Sequence, residues 1–135
     1  MVKIVVADDS QLIRKILVTL FNSEPDFEVV GEARDGFEAV NQVNRLHPDV
    51  LVLDLMMPGL KGLEVLEKLR QANSQIATVI LSMHTDLAYV RESLRLCAKA
   101  YVPKDAPPEE LIQAVRKAAA GRNFSCSLLP AMASG

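Results

Sequence analysis

The sequence contains no tryptophan, and aromatic residues make up only 4% of its 135 positions. It has two cysteines, Cys97 and Cys126, too few for a disulfide scaffold and at no metal or redox spacing, so both are expected as reduced thiols. No apolar stretch comes near the roughly 20 residues that cross a bilayer, and a membrane is not an expected partner. The first nine residues hold one lysine and a short apolar run ahead of two acids, unlike a signal peptide. Charge of one sign is lacking too: 15 basic residues stand against 17 acidic ones, for a net charge of −2. A general positive field that would draw nucleic acid is therefore missing. Aliphatic residues are plentiful. Half the chain is apolar (50%), which excludes disorder and gives one domain of this length a sizeable core. A soluble, cytoplasmic domain is expected over residues 1–122.

Short β-branched runs alternate with helical patterns. The runs 2–7, 28–33, 50–53, 78–81 and 99–102 start 21 to 28 residues apart, the length of a strand plus a crossover helix. Val50-Leu51-Val52-Leu53 is apolar on both faces, as a central parallel strand covered by helices requires. Between the runs, Ile13, Ile16, Leu17, Leu20 and Phe21 form one helical stripe. A second helix opens at Asp35 with Glu38 three residues on and closes near Leu46, before Pro48. Leu63, Leu66 and Leu69 mark a third, 87–96 a fourth. The last starts at Pro108, carries Leu111, Ile112, Val115 and Ala119 inward, and stops at Gly121. The fold class is α/β: a (βα)5 flavodoxin-like three-layer sandwich with parallel strand order 2-1-3-4-5, an order common to such sheets. No charged residue follows Arg122, and 123–135 reads as a linker or C-terminal tail.

Four of the five runs end in a chemically capable residue: Asp8 and Asp9, then Asp54, Ser82, and Lys104 just past the fifth. In an open parallel sheet the carboxyl ends of the strands share one edge, where ligands bind, so these distant residues converge. Three carboxylates a few ångströms apart repel by roughly 4 kcal/mol per pair at the effective dielectric of a surface cleft. Without help one of them takes up a proton. A hard divalent cation removes the problem, and oxygen-only ligands on one side of an open cleft suit Mg2+. The two histidines, His47 and His84, have no partner at metal spacing. Lys104 adds a fixed positive charge. Mg2+, a lysine, a hydroxyl and a free carboxylate oxygen are arranged to hold a phosphoryl group on that carboxylate. Asp54 is the expected acceptor: it ends the central strand, and Met56-Met57-Pro58-Gly59 turns the chain away, which is expected to leave its carboxylate exposed.

Val5-Val6-Ala7-Asp8-Asp9-Ser10, the stretch from Leu53-Asp54 through Met56-Met57-Pro58 to Lys61-Gly62, Ile80-Leu81-Ser82 and Tyr101-Val102-Pro103-Lys104 together resemble the receiver domain of bacterial two-component response regulators. Leu81-Ser82-Met83-His84 and Lys104-Asp105 ahead of Pro108-Glu109-Glu110-Leu111 resemble its NarL/FixJ (LuxR-type) subgroup, whose members carry a helix-turn-helix DNA-binding domain after a linker. The resemblance implies that Asp54 takes a phosphoryl group from a phosphohistidine on a sensor histidine kinase. It implies Mg2+ ligated by Asp9, Asp54 and the Met56 carbonyl, with Asp8 acting through water. Lys104 would pair with the phosphoryl oxygens, Ser82 would move to hydrogen-bond them, and Tyr101 would reorient with it. The phosphoryl group would leave by hydrolysis in the same site, so the protein is a switch rather than an enzyme turning over an external substrate. A homodimer on activation is implied as well, and DNA contact only through a C-terminal domain this chain does not include.

Cys97 and Ala100 stand where the subgroup usually has glycine, Pro103 precedes the lysine where many relatives have proline after it, and Lys61 replaces a common acid. None of these removes a residue that the chemistry needs. Leu12, Ile16, Val115 and Ala119 suit a dimer face and plain core packing about equally. Among rivals, a flavodoxin-like nucleotide binder would want backbone donors where Asp8 and Asp9 repel phosphate. A Mg2+-dependent phosphatase would want a cap or substrate pocket, and neither is evident. A receiver-like module that only binds partners would not need the complete acidic set.

Overall fold

A strand that is apolar on both faces has to be sandwiched. The computed structural model, which describes residues 1–72, 74–83 and 86–121, places β3 (Val50–Asp54) at the centre of a five-stranded parallel sheet, every one of its residues buried. Around it lie β1 (Val2–Ala7), β2 (Phe27–Ala33), β4 (Ala77–Ser82) and β5 (Ala100–Pro103), in the expected order β2-β1-β3-β4-β5. The crossovers contain α1 (Gln11–Asn22), α2 (Gly36–Leu46), α3 (Gly62–Gln71) and α4 (Leu87–Arg95), and α5 (Pro108–Ala120) follows β5. Alternation along the strands separates two apolar layers. Ile4, Val6, Val52, Val79 and Leu81 pack with Leu17 and Phe21 of α1 and Ile112 and Val115 of α5. Val5, Leu51, Leu53 and Ile80 pack with Val43 of α2, Val65 and Leu66 of α3 and Leu96 at the end of α4. Each fully buried Val, Leu or Ile contributes about 1.5–3 kcal/mol.

Local chemistry sets the helix ends. Ser10 Oγ accepts the Ile13 N–H at 3.3 Å and starts α1. Asp35 Oδ1 accepts the Glu38 N–H at 2.9 Å, while Glu38 reaches back to the Arg34 N–H at 3.0 Å, a reciprocal cap one residue longer than the expected pair. α5 begins at Pro108, and Gly121 follows its last residue, as expected.

Strand ends differ from the sequence expectation by about one residue. The fifth run shifts to Ala100–Pro103, and the Lys99 N–H instead bonds the Thr78 carbonyl at 2.8 Å. Proline is tolerated there because β5 is an edge strand. Among the described residues all peptide bonds are trans. Ile16 is not inward: it is 54% exposed beside Leu12 at 68%, because Ile13, Leu17, Leu20 and Phe21 centre the buried stripe on the other flank. Val115 is fully buried and Ala119 packs on the same layer, so core packing accounts for both. Cys97 takes a positive φ of 79°, the conformation that a glycine would reach more easily. Contrary to expectation it is disulfide-bonded rather than a thiol. Cys126, His84 and the expected linker at 123–135 lie outside the described residues.

Candidate functional site

Parallel register brings the strand ends together. Ala7 pairs with Leu53, Asp54 with Leu81 and Ser82 with Pro103, so Asp8, Asp54, Ser82 and Lys104 all reach the carboxyl edge of the sheet. Contrary to the expected exposure, Asp54 is only 4% exposed, because it still pairs with Leu81 in the ladder and its carboxylate is turned to the Met56 N–H and Lys104; Asp8, just past β1, is 1% exposed. Lys104 Nζ stands between them, 3.0 Å from Asp8 Oδ2 and 3.3 Å from Asp54 Oδ2. Its position is fixed by the backbone, since the Lys104 N–H donates to the Ser82 carbonyl at 2.9 Å. Carboxylate oxygens of Asp8, Asp9 and Asp54 all lie within 4.8 Å of one another. The sequence-predicted acids and lysine therefore form one cleft.

The other oxygens of the two buried acids are already engaged. The Met56 N–H donates to Asp54 Oδ1 at 3.1 Å, and the Ser10 N–H donates to Asp8 Oδ1 at 2.9 Å. Asp9 differs. It is exposed, and it makes no hydrogen bond or ion pair with the described residues. Burial pushes the Asp54 carboxyl above the ordinary carboxylate range. The Asp8 charge pushes the same way, while the Met56 N–H and Lys104 pull back. Burial works against the charge on Lys104, but the Asp8 and Asp54 carboxylates outweigh it and hold the ammonium above its usual value. The cleft thus has more anionic oxygen than one lysine offsets. Three hard oxygen donors, one of them uncommitted, fit a divalent cation such as Mg2+.

Ser82 is fully buried at the end of β4. Tyr101 lies on β5 opposite Ile80, half-buried against the α2–α3–α4 layer, with Ser82 diagonal to it across the ladder. Met56 is 42% exposed at the rim, and Gly59 turns the following loop with a φ of 72°. The sequence reading missed Arg14. From α1 its Nη1 donates to the Asp8 main-chain carbonyl at 2.6 Å, and its Nε meets Glu32 Oε1 of β2 at 3.3 Å. The only signal in the sequence was a cation in the first turns of a helix, where the macrodipole disfavours one.

Residues 4–116 match the model of the family described as the response regulator receiver domain. The chain is 37% identical over 131 residues to the nitrate/nitrite response regulator protein NarL of Escherichia coli strain K12, covering 96% of this chain and 61% of that protein. Across the curated relatives compared, the chain spans 51% to 61% of their length. Its backbone is similar to the signal receiver domain of a response regulator NarL from Mycobacterium tuberculosis, with a TM-score of 0.86 at 33% identity over 89% of this chain and 97% of that one. It is also similar, at a TM-score of 0.81 and 25% identity, to a chain of the CheX–CheY–BeF3–Mg2+ complex from Borrelia burgdorferi, covering 86% of this chain and 87% of that one.

Proposed function

The chain belongs to the response regulator receiver domain family, and on that footing we propose that Asp54 is the phosphoacceptor of a two-component switch. The observation that supports this most directly is the buried Asp54 carboxylate, 3.3 Å from Lys104 Nζ and within 4.8 Å of the oxygens of Asp8 and Asp9. In the transfer, an Asp54 carboxylate oxygen bonds to the phosphorus of a phosphohistidine. The P–N bond breaks, and the imidazole leaves with the electron pair. Lys104 moves from carboxylate to phosphoryl oxygens without leaving the cleft, so its charge is in place before transfer. Asp9, Asp54 and the Met56 carbonyl would hold Mg2+, with Asp8 acting through water, and the bound cation would supply neutralisation of phosphoryl charge in the cleft.

Phosphorylation gives the Ser82 hydroxyl a new strong acceptor at the end of β4. Tyr101, diagonal to it, then repacks against the α4 side of the sheet and alters the α4–β5–α5 surface. The donor is a sensor histidine kinase, the setting is the cytoplasm, and activation favours a homodimer. That the chain spans only 51% to 61% of curated relatives, one of them named a transcriptional regulatory protein, supports an output through a C-terminal DNA-binding domain of a longer protein. Intact-mass spectrometry after acetyl phosphate and Mg2+ tests the reading. One phosphoryl group is expected on the wild type and none on Asp54→Asn; equal labelling of both rejects the assignment.

A further inference from the structure

Asp9 is the one acid of the cleft whose side chain makes no hydrogen bond or ion pair with the described residues. Most polar atoms of the preceding residue are held: the Asp8 N–H donates to the Ala33 carbonyl at 3.0 Å, Oδ1 accepts the Ser10 N–H, and the main-chain carbonyl accepts Arg14 Nη1 at 2.6 Å, while Oδ2 makes no hydrogen bond and has only the Lys104 ammonium 3.0 Å away as an ion pair. That carbonyl belongs to the peptide joining Asp8 to Asp9, so whatever fixes its plane fixes the Asp9 N–Cα bond and leaves only φ and the side-chain rotamer to set where the Asp9 carboxylate points. Arg14 is well placed to fix it. Its side chain is only 14% exposed, folded back from α1 rather than out to solvent, and Glu32 of β2 braces its Nε at 3.3 Å. A cation near the N-terminus of α1 opposes the helix dipole, so this placement has no basis in helix stability.

We propose that Arg14, braced by Glu32, is a positioning residue for divalent-cation binding: it locks the Asp8–Asp9 peptide so that the Asp9 carboxylate meets those of Asp8 and Asp54. The proposal rests on the reading of the cleft as a Mg2+ site. Arg14 acts by geometry, through two N–H groups of one planar fork aimed at two acceptors. A lysine keeps the charge and loses the fork.

Calorimetric titration with Mg2+ separates the possibilities. Arg14→Met is expected to weaken Mg2+ binding about tenfold, as loss of a group that orients a metal ligand typically does. Arg14→Lys should recover less than half of that loss, and Glu32→Gln should weaken binding about two- to threefold. Labelling of Asp54 by acetyl phosphate should return to the wild-type maximum in each variant once Mg2+ is saturating, because the cation concentration required shifts and the acceptor does not. Wild-type affinity in Arg14→Met overturns the proposal, as does full rescue by lysine, which would show that charge alone matters. If Arg14→Met fails to fold, Arg14→Lys and Glu32→Gln decide by the same criteria. A wild-type protein that binds no Mg2+ overturns the reading beneath the proposal, and the proposal with it.

Discussion

At the scale of single residues, Lys104 holds two buried carboxylates that would otherwise face each other, and it does so from a side chain 19% exposed. Replacing it by methionine leaves both acids without a cation. Lys104→Met is therefore expected to destabilise the Mg2+-free domain by about 1–3 kcal/mol, the usual cost of an orphaned buried acceptor. It should also tighten Mg2+ binding, because the competing ammonium is gone. Chemical denaturation and Mg2+ titration check the two halves, and weaker Mg2+ binding would show that Lys104 helps to build the cation site. Gly36 acts through space rather than charge. A Cβ there would stand 1.8 Å from the Leu60 carbonyl oxygen, a backbone atom that cannot swing aside. Gly36→Ala should cost about 1–3 kcal/mol by overpacking, read as a lower denaturation midpoint. The two residues also differ in how far the sequence disclosed them. Lys104 follows an apolar run on the edge where acids collect, so its role was legible. Gly36 was not, because its neighbour is a loop 24 positions away whose approach no periodicity reports.

At the scale of elements, α1 presents a face that the core does not use. It starts at Gln11, two residues after Asp9, and Leu12 and Ile16 are exposed one turn apart along it. If a phosphohistidine donor reaches the Asp54 edge over this face, its two exposed apolar side chains give that donor something to bury. Leu12→Glu and Ile16→Glu should change stability by no more than about 0.5 kcal/mol. They should slow transfer from a histidine kinase severalfold and leave labelling by acetyl phosphate intact. Unchanged transfer together with a lost dimer in sedimentation would assign the face to a second copy instead. The elements themselves were largely legible, since apolar runs of period two and stripes of period 3.6 leave few topologies for one chain of this length. Their ends were not. Strand limits depend on which neighbour's ladder continues, as with Lys99 bonding Thr78 ahead of β5. The flank on which Ile16 lies depends on how α1 rolls against β1 and β2.

At the scale of the whole molecule, the sheet gathers like charges from separate strands, so stability and cation binding are coupled through the cleft. The convergence was legible because the carboxyl ends of parallel strands must share an edge. The anchoring of Asp8 by Arg14 was not, because a side chain's bond to a main-chain carbonyl leaves no pattern in the sequence. The coupling has a definite sign. Burial, then the Asp8 charge, raises the Asp54 carboxyl in the folded state, so ionising it disfavours folding. That penalty is absent below the unfolded carboxylate value and grows as pH rises through the folded one. Asp26 and Glu92 are lowered by hydrogen bonds from Arg116 and Arg95 and contribute with the opposite sign. Both are surface pairs remote from the cleft, and substitution at position 54 leaves them unchanged. The difference in melting temperature between Asp54→Asn and the wild type therefore isolates the cleft. Without divalent cation the variant should melt higher, by a margin that widens as pH rises above the ordinary carboxylate range. Mg2+ at about ten times its Kd should add about 1.4 kcal/mol to the wild type, a few degrees for a domain of this size. The variant should gain much less, and the margin should shrink. A margin flat with pH, or equal Mg2+ shifts in both proteins, would show that the repulsion lies elsewhere and that Asp54 does not carry it.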